Sequence, residues 1–183
     1  MVIEKYKDEL DDVINKLSSI REYNFDSVNV YGSAVNEDMF VHNISDIDII
    51  VMSKDFDKFD KNSIIAQINA MGIDFKEKRP IIIKDNLCER IEFYIVYKNI
   101  NIDVTLCPGL IPSRESLERD AWYDGFESLM GGVYMNSYSI YGQIPDYDIF
   151  KANYYPFYDD DLRDKRLDIL SKRLVTYNER IDR

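Results

Sequence analysis

Residues 44–51 read Ile-Ser-Asp-Ile-Asp-Ile-Ile-Val. Isoleucine and valine at this density favour a strand, where the branched side chains pack well on a pleated surface. On a strand, residues i and i+2 share a face. Asp46 and Asp48 therefore point one way, and Ile47 and Ile49 point the other. Such a strand must bury its isoleucine face in a sheet. It must also accommodate two adjacent carboxylates on the opposite face. Carboxylates buried together repel one another and hold their protons to higher pH, a conflict that a cation between them removes. An Asp-x-Asp pair also occurs on ordinary surface strands, so the surrounding residues decide.

Those residues form a consistent set. Phe25–Tyr31 reads as a short apolar strand ending at Gly32-Ser33, and twelve residues separate Ser33 from Asp46. Glycine lets backbone approach a phosphate closely. Ser33 adds a hydroxyl and a backbone N–H, donors that suit an anion. Further along, Ile100–Leu106 reads as another apolar strand with Asp103 at its centre. Three carboxylates on neighbouring strands can hold two hard divalent ions about 4 Å apart, one on a triphosphate and one at an attacking hydroxyl. The single histidine, His42, and the two cysteines, Cys88 and Cys107, cannot build a Cys/His zinc cluster. Nor do they supply a Ser-His-Asp or Cys-His apparatus. A metal here takes oxygen ligands, which means Mg²⁺ or Mn²⁺.

Patterning elsewhere predicts an α+β fold. Ile3, Tyr6, Leu10, Val13, Leu17 and Ile20 form one helical stripe over residues 3–21. A second helix is expected from near Asn62 to Gly72, with Ile64, Ile65, Ile68 and Met71 inward. Residues 73–84 predict a strand that Pro80 disturbs. Glu92–Tyr97 and Ile100–Leu106 predict a hairpin turning on Lys98-Asn99, since Asn tolerates a primed turn. Cys107-Pro108-Gly109 is read as the end of the sheet. A helix is then expected from Pro112-Ser113 to Met130, stopped by Gly131-Gly132, followed by ordered loop with short elements over 133–158. A last helix is capped by Asp159–Asp161 and carries Leu167, Leu170, Leu174, Tyr177 and Ile181. The expected organisation is residues 1–110 as a mixed sheet flanked by helices and 111–183 as a helical and irregular C-terminal part packed on it.

Bulk properties narrow the partners. The net charge of −11 counts against a generic nucleic-acid binder. It is uneven, because residues 161–183 carry seven Lys and Arg against five Asp and Glu. A polyanion would have to follow a local path. No run of eighteen apolar residues is present, so no membrane partner is expected. The acidic, amphipathic start is unlike a secretory signal, and two unpaired cysteines are expected of a cytoplasmic chain.

The set Tyr31-Gly32-Ser33, a gap of twelve, and Asp46-Ile47-Asp48-Ile49 resembles the signature of the DNA polymerase beta-like nucleotidyltransferase superfamily. Asp103 takes the place of its third acid. The resemblance covers about residues 25–107 and is specific for the superfamily. It implies a nucleotidyltransferase palm, two Mg²⁺ ions, and transfer of a nucleoside monophosphate from a nucleoside triphosphate to a hydroxyl with release of pyrophosphate. By the same resemblance, Asp46 and Asp48 hold both metals, and Asp103 binds the catalytic metal and helps deprotonate the acceptor. Gly32, Ser33 and Ser45 grip the nucleotide. The run INIDVTLCPG is similar to the third-acid strand of poly(A) polymerases and CCA-adding enzymes, which implies template-independent addition to an RNA or DNA 3′ end. Antibiotic-modifying and toxin-antitoxin branches often carry an arginine soon after Gly-Ser. Here the gap VNEDMFVHN has neither lysine nor arginine. Transfer to a small molecule or a protein side chain is the second expectation, which the acidity favours. A nucleotide-binding scaffold without turnover is the third.

Other candidates have plainer readings. His42 is read as a loop histidine on the rim, and Asp146-Tyr147-Asp148 as a turn. Tyr134, Tyr138 and Tyr141 can stack on a base or cover a helical lobe. Lys165, Arg166, Lys172 and Arg173 can meet phosphates or line a solvated helix face shared with Asp164 and Asp168.

Overall fold

A computed structural model of the chain describes residues 2–21, 23–35, 39–42, 44–85, 87–111 and 126–154. The chain divides into two compact units, Met1–Leu110 with Gly132–Pro145, and Ile111–Gly131 with Asp146–Arg183. Among the described residues are seven strands in one mixed sheet and five α-helices, the mixture of helix and sheet that the patterning predicts.

The first unit opens with helices α1 (Val2–Lys5) and α2 (Lys7–Ser18). The predicted single helix is interrupted at Tyr6, which has φ −111° and ψ 20°. The break lets Val2 and Ile3 be buried along with Leu10, Val13, Ile14 and Leu17. Each such side chain stabilises the fold by roughly 1.5–3 kcal/mol relative to exposure. Helix α3 (Lys61–Ala70) begins at Asp60, whose carboxylate accepts the Asn62 N–H at 3.0 Å, a cap worth about 1 kcal/mol. Ile64 and Ile68 are its buried residues, whereas Ile65 and Met71 are only half-buried.

The strands are β1 (Ser27–Tyr31), β2 (Ile47–Met52), β3 (Asp74–Phe75), β4 (Ile81–Lys84), β5 (Glu89–Tyr97), β6 (Ile100–Cys107) and β7 (Tyr138–Gly142). Their order is β3-β5-β6-β2-β1-β7, with β4 also paired to β5. β2 and β6 run parallel, and the other pairs are antiparallel. The β5–β6 hairpin turns where predicted, with Lys98 at φ 47° and Asn99 at φ 69°, the two positive angles of a type I′ turn.

Alternation divides the sheet into two faces. Val28, Val30, Ile47, Ile49, Val51, Phe93, Val104 and Leu106 join the residues of α2 and α3 in one core. The intervening positions, among them Asn29, Tyr31, Asp48, Asp103 and Tyr94, face the opposite way.

Four further predicted elements are corrected. Residues 73–84 are two strands, because Pro80 has no N–H to donate and separates β3 from β4. Gly131-Gly132 does not stop a helix. Helix α4 (Phe126–Asn136) runs through both glycines. Two interior glycines cost roughly 2 kcal/mol of helix propensity, and burial of Met130, Val133 and Tyr134 offsets it. The sheet does not end at Cys107, because β7 adds an edge strand to β1. Gly142, at φ +64°, permits this pairing, since a Cβ there would overlap the Asp26 carbonyl oxygen. Finally, Asp146 has φ 57° and leads directly into helix α5 (Tyr147–Tyr154), so residues 146–148 are a turn followed by a helix start. The predicted helix start over 112–125 and the whole last helix, with Asp159–Asp161, Lys165, Arg166, Lys172 and Arg173, lie outside the described residues. No helix among the described residues is long and apolar enough to cross a membrane.

Candidate active site

Pairing registers bring the predicted acids together. Asp48 on β2 stands opposite Asp103 on β6 in the parallel ladder. In the antiparallel ladders, Tyr31 on β1 is the partner of Asp48, and Tyr94 on β5 is the partner of Asp103. One row therefore crosses four strands: Tyr31, Asp48, Asp103, Tyr94. Asp46 precedes β2 by one residue and is half-buried, as are Asp48 and Asp103.

The Gly-Ser pair lies beside this row. β1 ends at Tyr31, and Gly32–Val35 forms a 3-10 turn with Ala34 fully buried as its anchor. Gly32 has φ +70°, and a Cβ built on it would overlap Oδ2 of Asp48 and lie 3.3 Å from its Cγ. Only glycine lets the backbone come this close to the carboxylate. Ser33 is half-buried next to it. Ser45 has a structural role as well. Its Oγ accepts the Val41 N–H at 3.0 Å and its own N–H donates to the Val41 carbonyl at 2.8 Å, which closes the loop leading into Asp46.

The electrostatics follow from this crowding. Burial, reinforced by Asp46 and Asp103, pushes Asp48 up to about 7. Burial also raises Asp103 to about 6, with Glu92 and Asp46 adding to the effect, while a hydrogen bond from Tyr94 and the charge of Lys78 oppose it. Tyr94 is raised to about 12 by burial and by the Asp103 carboxylate. Asp48 and Asp103 thus hold their protons to higher pH than ordinary carboxylates do. Asn29, two residues before Tyr31 on the same face, is fully buried, and its Oδ1 accepts no hydrogen bond among the described residues.

Among the described residues, no three His, Cys, Asp or Glu side chains are grouped so that they could hold a metal ion. The donors nonetheless fit a hard cation chemically. They are all oxygen, they repel one another, and a glycine cradle keeps the adjoining backbone open.

Some candidates lie elsewhere. His42 is exposed, with Nδ1 3.2 Å from the Tyr6 hydroxyl and 3.3 Å from Lys5 Nζ, against the N-terminal helices. Tyr134 is buried and donates to the Pro145 carbonyl at 2.7 Å, whereas Tyr138 and Tyr141 are exposed on β7. Cys88 and Cys107 are both free thiols. The sequence reading used Tyr31 only as the residue before Gly32, not as a member of the acid face, and missed Tyr94 and Lys78. The alternation Val28-Asn29-Val30-Tyr31 carries the signal for the first, since its polar members share the face of Asp48. Comparison of the sequence with known protein families and with curated proteins finds no match.

Proposed function

We propose that the chain is a metal-dependent nucleotidyltransferase with the palm it resembles in sequence, moving a nucleoside monophosphate from a nucleoside triphosphate to a hydroxyl. The observation that carries this reading is the register pairing of Asp48 with Asp103 on one face, with Gly32 fitted against Asp48. Two distant stretches of sequence thus deliver carboxylates beside the Gly32–Val35 turn.

In this reading Gly32 and Ser33 bind the triphosphate, with Ser45 holding the loop beside it. Asp46, Asp48 and Asp103 would hold Mg²⁺ or Mn²⁺, which supplies neutralisation of the triphosphate charge and acidifies the attacking hydroxyl. The acceptor oxygen attacks the α-phosphorus and forms a new P–O bond. The bond from the α-phosphorus to its bridging oxygen breaks, and pyrophosphate leaves with that electron pair. The acceptor proton passes to the Asp103 carboxylate and on to water. Tyr94 orients Asp103 from the neighbouring strand.

The test is incubation with Mg²⁺ and each labelled triphosphate, together with short RNA, short DNA or no added acceptor. Label on an oligonucleotide, with pyrophosphate released, supports 3′-end transfer. Label on the protein or on a small molecule moves the acceptor to the class that the net charge of −11 favours. A binding-only scaffold is the reading favoured by the missing lysine or arginine between Ser33 and Asp46. It would be established by triphosphate binding without pyrophosphate release in every condition, unchanged in Asp48→Asn and Asp103→Asn.

A further inference from the structure

The strand bordering β5 is broken by a bulge, and the bulge carries a lysine. Phe75 of β3 faces Ile95, whereas Ile81 of β4 faces Glu92, so the edge gains residues relative to β5 between these two pairs. Tyr94 sits at that discontinuity. Its carbonyl accepts the Lys76 N–H and its own N–H donates to the Lys78 carbonyl, both at 3.0 Å. Bulges re-aim side chains and recur next to functional sites.

Here the bulge turns Lys78 onto the acid face. Its ammonium lies 2.6 Å from Oε2 of Glu92. Glu92 is two residues from Tyr94 on β5 and shares the face of Tyr94 and Asp103. The row Tyr31, Asp48, Asp103, Tyr94 is therefore bordered by the Lys78–Glu92 ion pair. Glu92 does not depend on that cation alone, because Arg90 Nε donates to its other oxygen at 2.7 Å. Arg90 also bonds Asp85 and is held from two sides, with its side chain 12% exposed. The Lys78 side chain is 26% exposed and bonds one carboxylate oxygen. An incoming anion can take the lysine and leave Glu92 paired to arginine.

The two ends of the row have different roles if the preceding functional reading holds, on which this inference rests. Gly32 and Ser33 flank Asp48 from the β1 side, and Lys78 flanks Asp103 from the β5 side. A triphosphate on the glycine turn leaves the lysine end to the acceptor. We propose that Lys78 holds a phosphate of the acceptor, so that the accepted hydroxyl belongs to the 3′ end of a nucleic acid chain and not to an uncharged or cationic metabolite.

The test is fluorescence anisotropy of end-labelled single-stranded RNA and DNA hexanucleotides with the full chain, over a range of salt, without triphosphate or Mg²⁺. Wild type is expected to bind at least one of them. Lys78→Met should weaken binding about tenfold and reduce the salt slope by about 0.7, one phosphate contact on a single strand. Lys78→Arg should retain most of the affinity. Glu92→Gln, which frees the lysine, should tighten binding, and the gain should vanish in the double variant Glu92→Gln/Lys78→Met, whereas a general charge effect or a freed Arg90 would keep it. Binding of labelled triphosphate should be the same in wild type and Lys78→Met. The proposal is overturned if neither hexanucleotide binds wild type, if Lys78→Met binds it equally well, or if Lys78→Met loses triphosphate instead. Because the readout needs no turnover, oligonucleotide binding that depends on Lys78 without any nucleotidyl transfer would sink the enzymatic reading and keep the nucleic-acid contact.

Discussion

Gly32 and Asp48 are fitted to one another so closely that a Cβ on the glycine would occupy the space of the carboxylate Oδ2. The turn after β1 and the acid on β2 thus form one unit. Their fit makes a measurable contrast with Gly72, which has φ +65° and no atom within 4 Å of a Cβ built there.

Gly32→Ala combines backbone strain with this overlap, whereas Gly72→Ala carries strain alone. The strain is roughly 1–2 kcal/mol at each position. Urea unfolding should show the Gly32 variant less stable by about another 1–3 kcal/mol, the usual cost of overpacking. Equal losses at the two sites would show that the glycine and the carboxylate are not in contact.

Asp48 and Asp103 make stability depend on pH in an unusual direction. Their folded values of about 7 and about 6 lie above the unfolded value of 3.8, so the native state binds more protons between these limits. Stability is therefore greatest at the acid end of that window and declines as pH rises towards 7. Denaturant melts in chelator from pH 4.5 to 8 should show this fall, and Asp48→Asn should flatten it. A stability that rises over the window would contradict the crowding of the acids.

A divalent cation should reverse the penalty. At a concentration one hundred times its Kd, a ligand of the native state adds about 2.7 kcal/mol, which corresponds to a Tm increase of roughly 5–10 °C for a chain of this size. Thermal melts with Mg²⁺ or Mn²⁺ plus a nonhydrolysable triphosphate should show that increase. In Asp48→Asn the ligand-free protein should melt higher than wild type and gain little from the same additions.

On the proposed nucleotidyltransferase function, Asp103→Asn should lower kcat by about 10²–10⁴, the range for loss of a positioned base, with triphosphate affinity retained. Tyr94→Phe should act more mildly and on the pH profile. The tyrosine hydrogen bond holds the Asp103 value down, so its loss should move the acidic limb of kcat to higher pH. An unmoved limb would leave Tyr94 a packing residue.

The acid row was legible in part because each of its aspartates interrupts an apolar alternation. The period of two assigns Asp46 and Asp48 to one face and Ile47 and Ile49 to the other, and the structure buries both isoleucines fully. The turn at Lys98-Asn99 was legible because Asn99 belongs to the short list of residue types that take left-handed angles readily. Lys78 was not, since its orientation depends on how β3 and β4 are offset along β5, a property of pairing between distant segments. Nor was β7, whose exposed edge position imposes no alternation on Tyr138–Gly142. The helix across Gly131-Gly132 persists because its neighbours are buried, a tertiary effect that overrides propensity.

The parallel pairing of β2 with β6 also has a kinetic meaning. A hairpin such as β5–β6 closes locally, but Asp48 reaches Asp103 only after everything between them has been looped out and returned. Contacts of such long sequence separation tend to slow folding. The repulsion between Asp48 and Asp103 therefore falls on a long-range pairing and not on the local hairpin. A chain caught before that docking would hold its turn and its hairpin while lacking the Asp48–Asp103 pair, so the full acid row arrives with the completed sheet and cannot precede it.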